Sequence, residues 1–249
     1  MTKCVNVYKG LRYTNSGDVM FCCKSETWLD DKNGNKANLE THTFDEVMNG
    51  NLAVEIRNDL ENGIRNKNCK KCWDEEDSGI ASKRILDNNR AVEYWGEEYL
   101  NDKKAIAEIV ELNLGTLCNL KCRICGPWSS SKWVKEHYVV NEKQESFSDY
   151  MKQVKEWQGN WEDDSKSWLH IEENLPNLKQ IDFYGGEPFL VEKNWSILQK
   201  SVDAGYAKNQ ILHLNTNGTQ YNENHISILK EYKSVLISLS IDDLYERFE

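Results

Sequence analysis

The sequence predicts an α/β protein in which a small cysteine-rich N-terminal domain precedes a series of βα units around a parallel sheet. Three observations carry this prediction. From about residue 107 onward, short apolar runs alternate with amphipathic stretches, as strands and helices do around a parallel sheet. A loop with three cysteines, Cys118, Cys122 and Cys125, directly follows the first of those runs. The remaining cysteines, Cys4, Cys22, Cys23, Cys69 and Cys72, all come earlier, and none follows Cys125.

The 249 residues correspond to one large domain or two small ones. A formal charge of -10 argues against binding a phosphate backbone, which needs a basic surface. No stretch approaches the ~20 apolar residues of a membrane span. The start, Met1-Thr2-Lys3-Cys4, has no apolar signal segment. The expectation is a cytoplasmic protein with no nucleic-acid partner and no membrane partner. In a reducing compartment, 8 Cys point to metal binding and not to disulfides.

Residues 1–82 form the cysteine-rich module. Strands are expected at 5–8 and 19–23, the second just after the turn residues Gly17 and Asp18. Thr43-Phe44-Asp45-Glu46 reads as a capping box that opens a helix. A second helix is expected over 51–62, with Leu52, Ile56 and Leu60 on one stripe and Gly63 at its end. Residues 83–104 read as a polar, partly helical connector. Residues 105–249 hold the barrel units, with strands at 107–114, 179–184, 211–216 and 234–241 and helices at 191–204 and 223–232. The stretch between 128 and 175 has room for two or three helices. Its Trp133, Trp157, Trp161 and Trp168 read as helix–core packing, with a substrate surface as the alternative.

Period-two alternation divides each strand into two faces. Val110, Leu112 and Leu114 oppose Glu111 and Asn113; Leu212 and Leu214 oppose His213, Asn215 and Asn217; Val235, Ile237, Leu239 and Ile241 oppose Ser238, Ser240 and Asp242. Helices cover the outside of such sheets, so the polar faces are expected inside, around a ligand. His213 is a substrate-side acid or base in one reading and a structural histidine in the other.

The central loop carries the chemistry. Thiolates are soft ligands suited to iron–sulfur clusters, zinc or copper. A closed zinc site and a fully ligated cubane each want four protein ligands. Three ligands in one short loop leave one metal position open.

At these residues the chain resembles the radical SAM superfamily, whose signature is C-x3-C-x2-C with a hydrophobic residue before the last cysteine, the place held by Ile124. The resemblance implies a [4Fe-4S] cluster on Cys118, Cys122 and Cys125, its fourth iron bound by S-adenosylmethionine. Phe183-Tyr184-Gly185-Gly186-Glu187-Pro188 resembles the family's GGEP element, which implies that Gly185, Gly186 and Glu187 hold the amino group of that cofactor. The third and fourth strand ends resemble those of the family and imply ribose and carboxylate contacts from Asn217, Ser238 and Ser240. Family cores commonly have six βα units, so the fold implied is a (β/α)6-type TIM barrel truncated after its fourth strand, and the natural polypeptide is expected to continue.

Cys4 and Cys22 flank Gly17, with twelve residues between Cys4 and the glycine and four between the glycine and Cys22, and Cys69 and Cys72 form a later C-x2-C pair. This resembles the first part of SPASM and twitch domains, and implies an auxiliary [4Fe-4S] cluster on Cys4, Cys22, Cys69 and Cys72. Cys23 is the spare, and register does not decide between it and Cys22. A zinc-ribbon-like site of structural role is the alternative. The activity implied is reductive cleavage of S-adenosylmethionine to a 5′-deoxyadenosyl radical, with an external one-electron reductant and a peptide or protein substrate. The competing reading is a non-catalytic zinc or Fe–S scaffold.

Overall fold

The computed structural model describes residues 2–140, 146–159, 161 and 165–241. The expected Asp242 and Asp243 of the fourth strand end and the polar tail 245–249 lie outside the described residues. The chain divides into two compact units: Met1–Tyr13 with Asp18–Glu111, and Thr14–Gly17 with Leu112–Glu249.

The first unit opens with helix α1 (Asn6–Lys9) and the hairpin strands β1 (Gly10–Tyr13) and β2 (Val19–Met20), which pair antiparallel. The strand expected at 5–8 is therefore corrected to one helical turn. Its period-two apolar pair, Val5 and Val7, is buried just as well by that turn. Tertiary partners decide the matter: Asn88 accepts from the Val5 N–H at 2.8 Å, and buried Lys9 reaches Asp102 at 2.6 Å and Glu108 at 3.5 Å. The second expected strand is present but short.

Helix α2 (Phe44–Met48) starts on the Thr43–Glu46 capping box. Helix α3 (Asn51–Glu61) buries Ala53, Ile56 and Leu60, and Gly63 at φ +75° follows its end. Helices α4 (Lys70–Asp77), α5 (Lys83–Trp95) and α6 (Glu97–Asn101) complete this part, so most of residues 83–104 is helical.

Strand β3 (Ile109–Asn113) contains the division between the units. Beyond it come helices α7 (Val134–Val140), α8 (Phe147–Gln158) and α9 (Lys166–Asn174), then β4 (Gln180–Tyr184), α10 (Glu192–Asp203), β5 (Ile211–Thr216), α11 (Glu223–Leu229) and β6 (Ser234–Leu239). The strand order is β2-β1-β3-β4-β5-β6, with β4, β5 and β6 parallel. In register, His213 sits between Asp182 on β4 and Leu236 on β6, and Asn215 sits beside Ser238. Parallel partners share a face, so the two faces expected from alternation are present. Ile181, Phe183, Leu212 and Leu214 are fully buried, whereas Tyr184, His213, Asn215 and Ser238 are half-buried on the other face.

Candidate functional site

The chain leaves β3 through Gly115, whose φ of +71° lets it turn where an L side chain would meet the Trp161 ring at 3.1 Å. The cysteine loop that follows has no helix or strand of its own, so its shape rests on donors from the next segment. Ser131 N–H donates to the Thr116 carbonyl at 2.7 Å, Ser130 Oγ to that of Leu120 at 2.7 Å, and Trp133 Nε1 to that of Cys122 at 3.0 Å. Trp133 is thus a brace for the loop. Trp168 is buried in packing, and Trp128 and Trp157 sit edge-to-face at 6.0 Å. Within the loop, Cys125 N–H donates to the Cys122 carbonyl at 3.0 Å. Cys118, Cys122 and Cys125 are partly exposed, and Ile124 is 82% exposed.

Gly185 and Gly186 approach this loop as backbone alone can. A Cβ on Gly186, at φ +44°, would lie 2.2 Å from the Leu117 carbonyl oxygen, and one on Gly185, at φ +78°, would lie 3.0 Å from that of Gly115. Glu187 N–H donates to the Leu117 carbonyl at 2.7 Å, which ties the turn to the loop. Glu187, expected to accept from an ammonium group, is held here by its own chain. Its carboxylate is 0% exposed, and it accepts from Thr216 Oγ1 at 2.7 Å, Asn217 N–H at 2.7 Å and Phe189 N–H at 3.1 Å. It braces the turn from behind, so the acceptors left for a ligand are backbone carbonyls.

Asn217, expected as a cofactor contact, lies against the cysteine loop. Its Nδ2 donates to Asn119 Oδ1 at 2.9 Å and lies 3.9 Å from Cys118 Sγ, while its Oδ1 accepts from Thr219. Ser238 Oγ lies 2.8 Å from His213 Nε2, and Ser240, exposed, anchors through its backbone N–H to the Thr216 carbonyl at 2.8 Å. His213 Nδ1 lies 3.3 Å from the Tyr184 hydroxyl and 3.9 Å from Asp182. Sequence reasoning missed Asp182, Asn119 and Thr219 as members of this network. Strand alternation across β4 was the signal for Asp182. It also missed Asn15, whose carbonyl accepts from Trp161 Nε1 at 2.7 Å, a contact between residues 146 positions apart with no local signature.

In the first unit, Cys22, Cys69 and Cys72 line one small cleft together with Asn68 and Ile56. Burial pushes the Cys4 thiol up to about 12, and the nearby Cys69 adds to the rise. Cys69 is likewise pushed up to about 12, by burial first and then by Cys22 and Cys72. Cys22 is raised by burial and then by Cys4. These four thiols therefore feel one another. Cys23 is exposed, and its rise comes first from burial and then from Glu111. The structure thus groups Cys22, not Cys23, with Cys4, Cys69 and Cys72.

All eight cysteines are free thiols. Among the described residues, no three His, Cys, Asp or Glu side chains are gathered tightly enough to hold a single metal ion. The donor chemistry nevertheless fits the expected groups. Four neighbouring thiols, whose thiolate forms would repel one another, suit a centre that supplies positive charge. At the central loop, Cys118 Sγ accepts from Leu120 N–H at 3.5 Å and faces the Asn217 amide, the kind of donors a thiolate ligand uses.

The sequence model of the Radical SAM superfamily matches residues 112–249, more than half of the chain, and that of SPASM, an iron-sulfur cluster-binding domain, matches residues 4–73. No curated protein and no solved structure matches the chain. The first match takes in the cysteine loop, the glycine turn and the strands β4 to β6, and the second takes in Cys4, Cys22, Cys69 and Cys72.

Proposed function

The chain belongs to the radical SAM superfamily and is a radical SAM enzyme, and from that premise we propose that it modifies a peptide or protein substrate, with an auxiliary cluster in its N-terminal unit. Cys118, Cys122 and Cys125 hold the catalytic [4Fe-4S] cluster. When bound, that cluster and S-adenosylmethionine supply one-electron cleavage of the sulfonium, giving methionine and a 5′-deoxyadenosyl radical that takes a hydrogen atom from the substrate. The carbonyls around Gly185 and Gly186 accept from the cofactor's ammonium group, where the absence of a Cβ leaves backbone within reach. Glu187 keeps that turn in place from the interior. Ser240 would offer a hydroxyl to the ribose, and Ile124, exposed beside Cys125, would contact the bound cofactor. Ser238 is the inner member of that strand end, oriented by His213.

The observation that carries this reading is the close approach of the glycine turn to the three-cysteine loop, fixed by the Glu187 N–H bond to Leu117. Cys4, Cys22, Cys69 and Cys72 hold the auxiliary [4Fe-4S] cluster. The peptide or protein substrate is supported by the SPASM match alone, through the resemblance drawn above. The formal charge of -10 supports a reading without nucleic acid, and no helix of the described residues is long and apolar enough to cross a membrane. Eight free thiols fit a reducing, cytoplasmic setting, and reductive cleavage of the sulfonium calls for an external one-electron donor.

Anaerobically purified protein tests the reading. It should be brown, with ~8 iron and ~8 sulfide per chain if both cubanes are complete. Reduction with dithionite in the presence of S-adenosylmethionine should release 5′-deoxyadenosine, and Cys118→Ala, Cys122→Ala or Cys125→Ala should abolish that release. Protein that takes up zinc and no iron would return the chain to the scaffold reading.

A further inference from the structure

We propose that Asn217 is a positioning residue of the central site: its side-chain amide donates to the Cys118 sulfur and thereby favours the reduced form of the cluster held there. This rests on the reading of that loop as a [4Fe-4S] site.

The geometry leaves the amide little freedom. Thr219 N–H can only donate, and it lies 3.0 Å from Asn217 Oδ1, so the oxygen of the amide must face Thr219 and the nitrogen must face the loop. The Thr219 hydroxyl also donates to that oxygen at 2.6 Å and accepts from Asn119 Nδ2 at 2.8 Å. Asn119 Oδ1 in turn accepts from Asn217 Nδ2 at 2.9 Å. The three side chains close a ring between the end of β5 and the cysteine loop. One N–H of Asn217 serves Asn119, and the other is directed to Cys118 Sγ, 3.9 Å away, at the long end for a bond to sulfur. Both acceptor positions and both donors of the amide are then used. The backbone of Asn217 is fixed as well, by the bond from its N–H to buried Glu187.

A donor aimed at a ligand sulfur stabilises negative charge there. The reduced cluster carries one electron more than the oxidised one, so the bond is worth more in the reduced state and raises the reduction potential. Leu120 N–H, 3.5 Å from the same sulfur, is a backbone donor that no side-chain substitution removes. Asn217 is the adjustable one.

The test is a potentiometric titration of the full chain, reconstituted with iron and sulfide and followed by electron paramagnetic resonance. The signal perturbed by added S-adenosylmethionine marks the open cluster. Asn217→Ala should lower the midpoint potential of that signal, and Asn217→Asp, which keeps the shape but sets a carboxylate beside the sulfur, should lower it further. A bond of the usual net strength corresponds to an about threefold to tenfold change in the reduced-to-oxidised ratio at fixed applied potential, tenfold being about 59 mV for one electron. Asn119→Ala should shift it less, because the donor itself stays. A purely structural ring predicts something else: all three variants lose iron to a similar degree, and the clusters that do assemble titrate like the wild type. That result overturns the proposal, as does a wild-type potential in Asn217→Asp when Asn217→Ala fails to assemble. Wild-type protein without iron would overturn the underlying reading before any variant is compared.

Discussion

Glu187 shows how a residue of the glycine turn is held by donors of its own chain. A carboxylate with no solvent contact must be fully hydrogen-bonded to persist, and three donors from its own chain surround this one. Glu187→Gln keeps an oxygen for Thr216 and Phe189 but turns an amide N–H₂ toward the Asn217 N–H. The buried donor left unpaired should cost about 1–3 kcal/mol, read as a lower midpoint in denaturant titration. Gly186→Ala acts on the other side of the same turn. With a Cβ placed 2.2 Å from the Leu117 carbonyl at φ +44°, either the turn or the cysteine loop must move. Reconstituted Gly186→Ala protein should hold markedly less iron than the wild type, with an unchanged far-ultraviolet circular dichroism spectrum. Full iron content in that variant would mean that the loop does not depend on the glycine approach.

Helix α11 gives the clearest pH-dependent element. His225 stacks on Trp195 at 3.8 Å and 8°, with Asn222 Nδ2 donating to its Nε2 at 3.2 Å. Its Nδ1 is buried with no hydrogen-bond partner among the described residues. Burial lowers its pKa below the ordinary value of about 6.5, against a smaller opposing effect of Glu192. The folded state therefore prefers the neutral ring more than the unfolded state does. The contribution is complete above pH about 6.5 and is lost as pH falls through the lower folded value. Thermal unfolding followed at pH 7.5 and at pH 5.5 should show a drop in midpoint for the wild type, and the drop should be smaller in His225→Gln. Elements of this kind were legible in the sequence wherever periodicity ran for five residues or more, as in β3 to β6, α3 and α10. Their faces were legible too, since alternation needs only the side-chain order. Helix α1 was not, because four residues with Val5 and Val7 buried satisfy a strand and a helical turn equally, and partners as distant as Asn88 and Asp102 decide. The roles of Glu187 and Asn217 were illegible for a related reason. Composition marks them as ligand-binding types, and only the placement of Thr216, Asn119 and Thr219 shows that their polar atoms are already taken.

On the scale of the whole molecule, the two sets of cysteines fall in different compact units. Each set is described by its own neighbours: Cys4, Cys22, Cys69 and Cys72 by one another, and the central three by the braces from Ser130, Ser131 and Trp133 and by the glycine turn. Loss of one earlier thiolate should therefore be local. Cys69→Ala removes the cysteine at the start of α4, whose neighbours include both Cys22 and Cys72. The expected outcome is a chain with about half the iron of the wild type that still releases 5′-deoxyadenosine on reduction with S-adenosylmethionine, while modification of the substrate, once identified, is impaired. Cys122→Ala should do the reverse, keeping the auxiliary iron and losing the release of 5′-deoxyadenosine. If Cys69→Ala abolished that release with the central iron still bound, the first cleavage step would depend on the auxiliary centre, and the division of labour between the two cysteine sets would have to be abandoned.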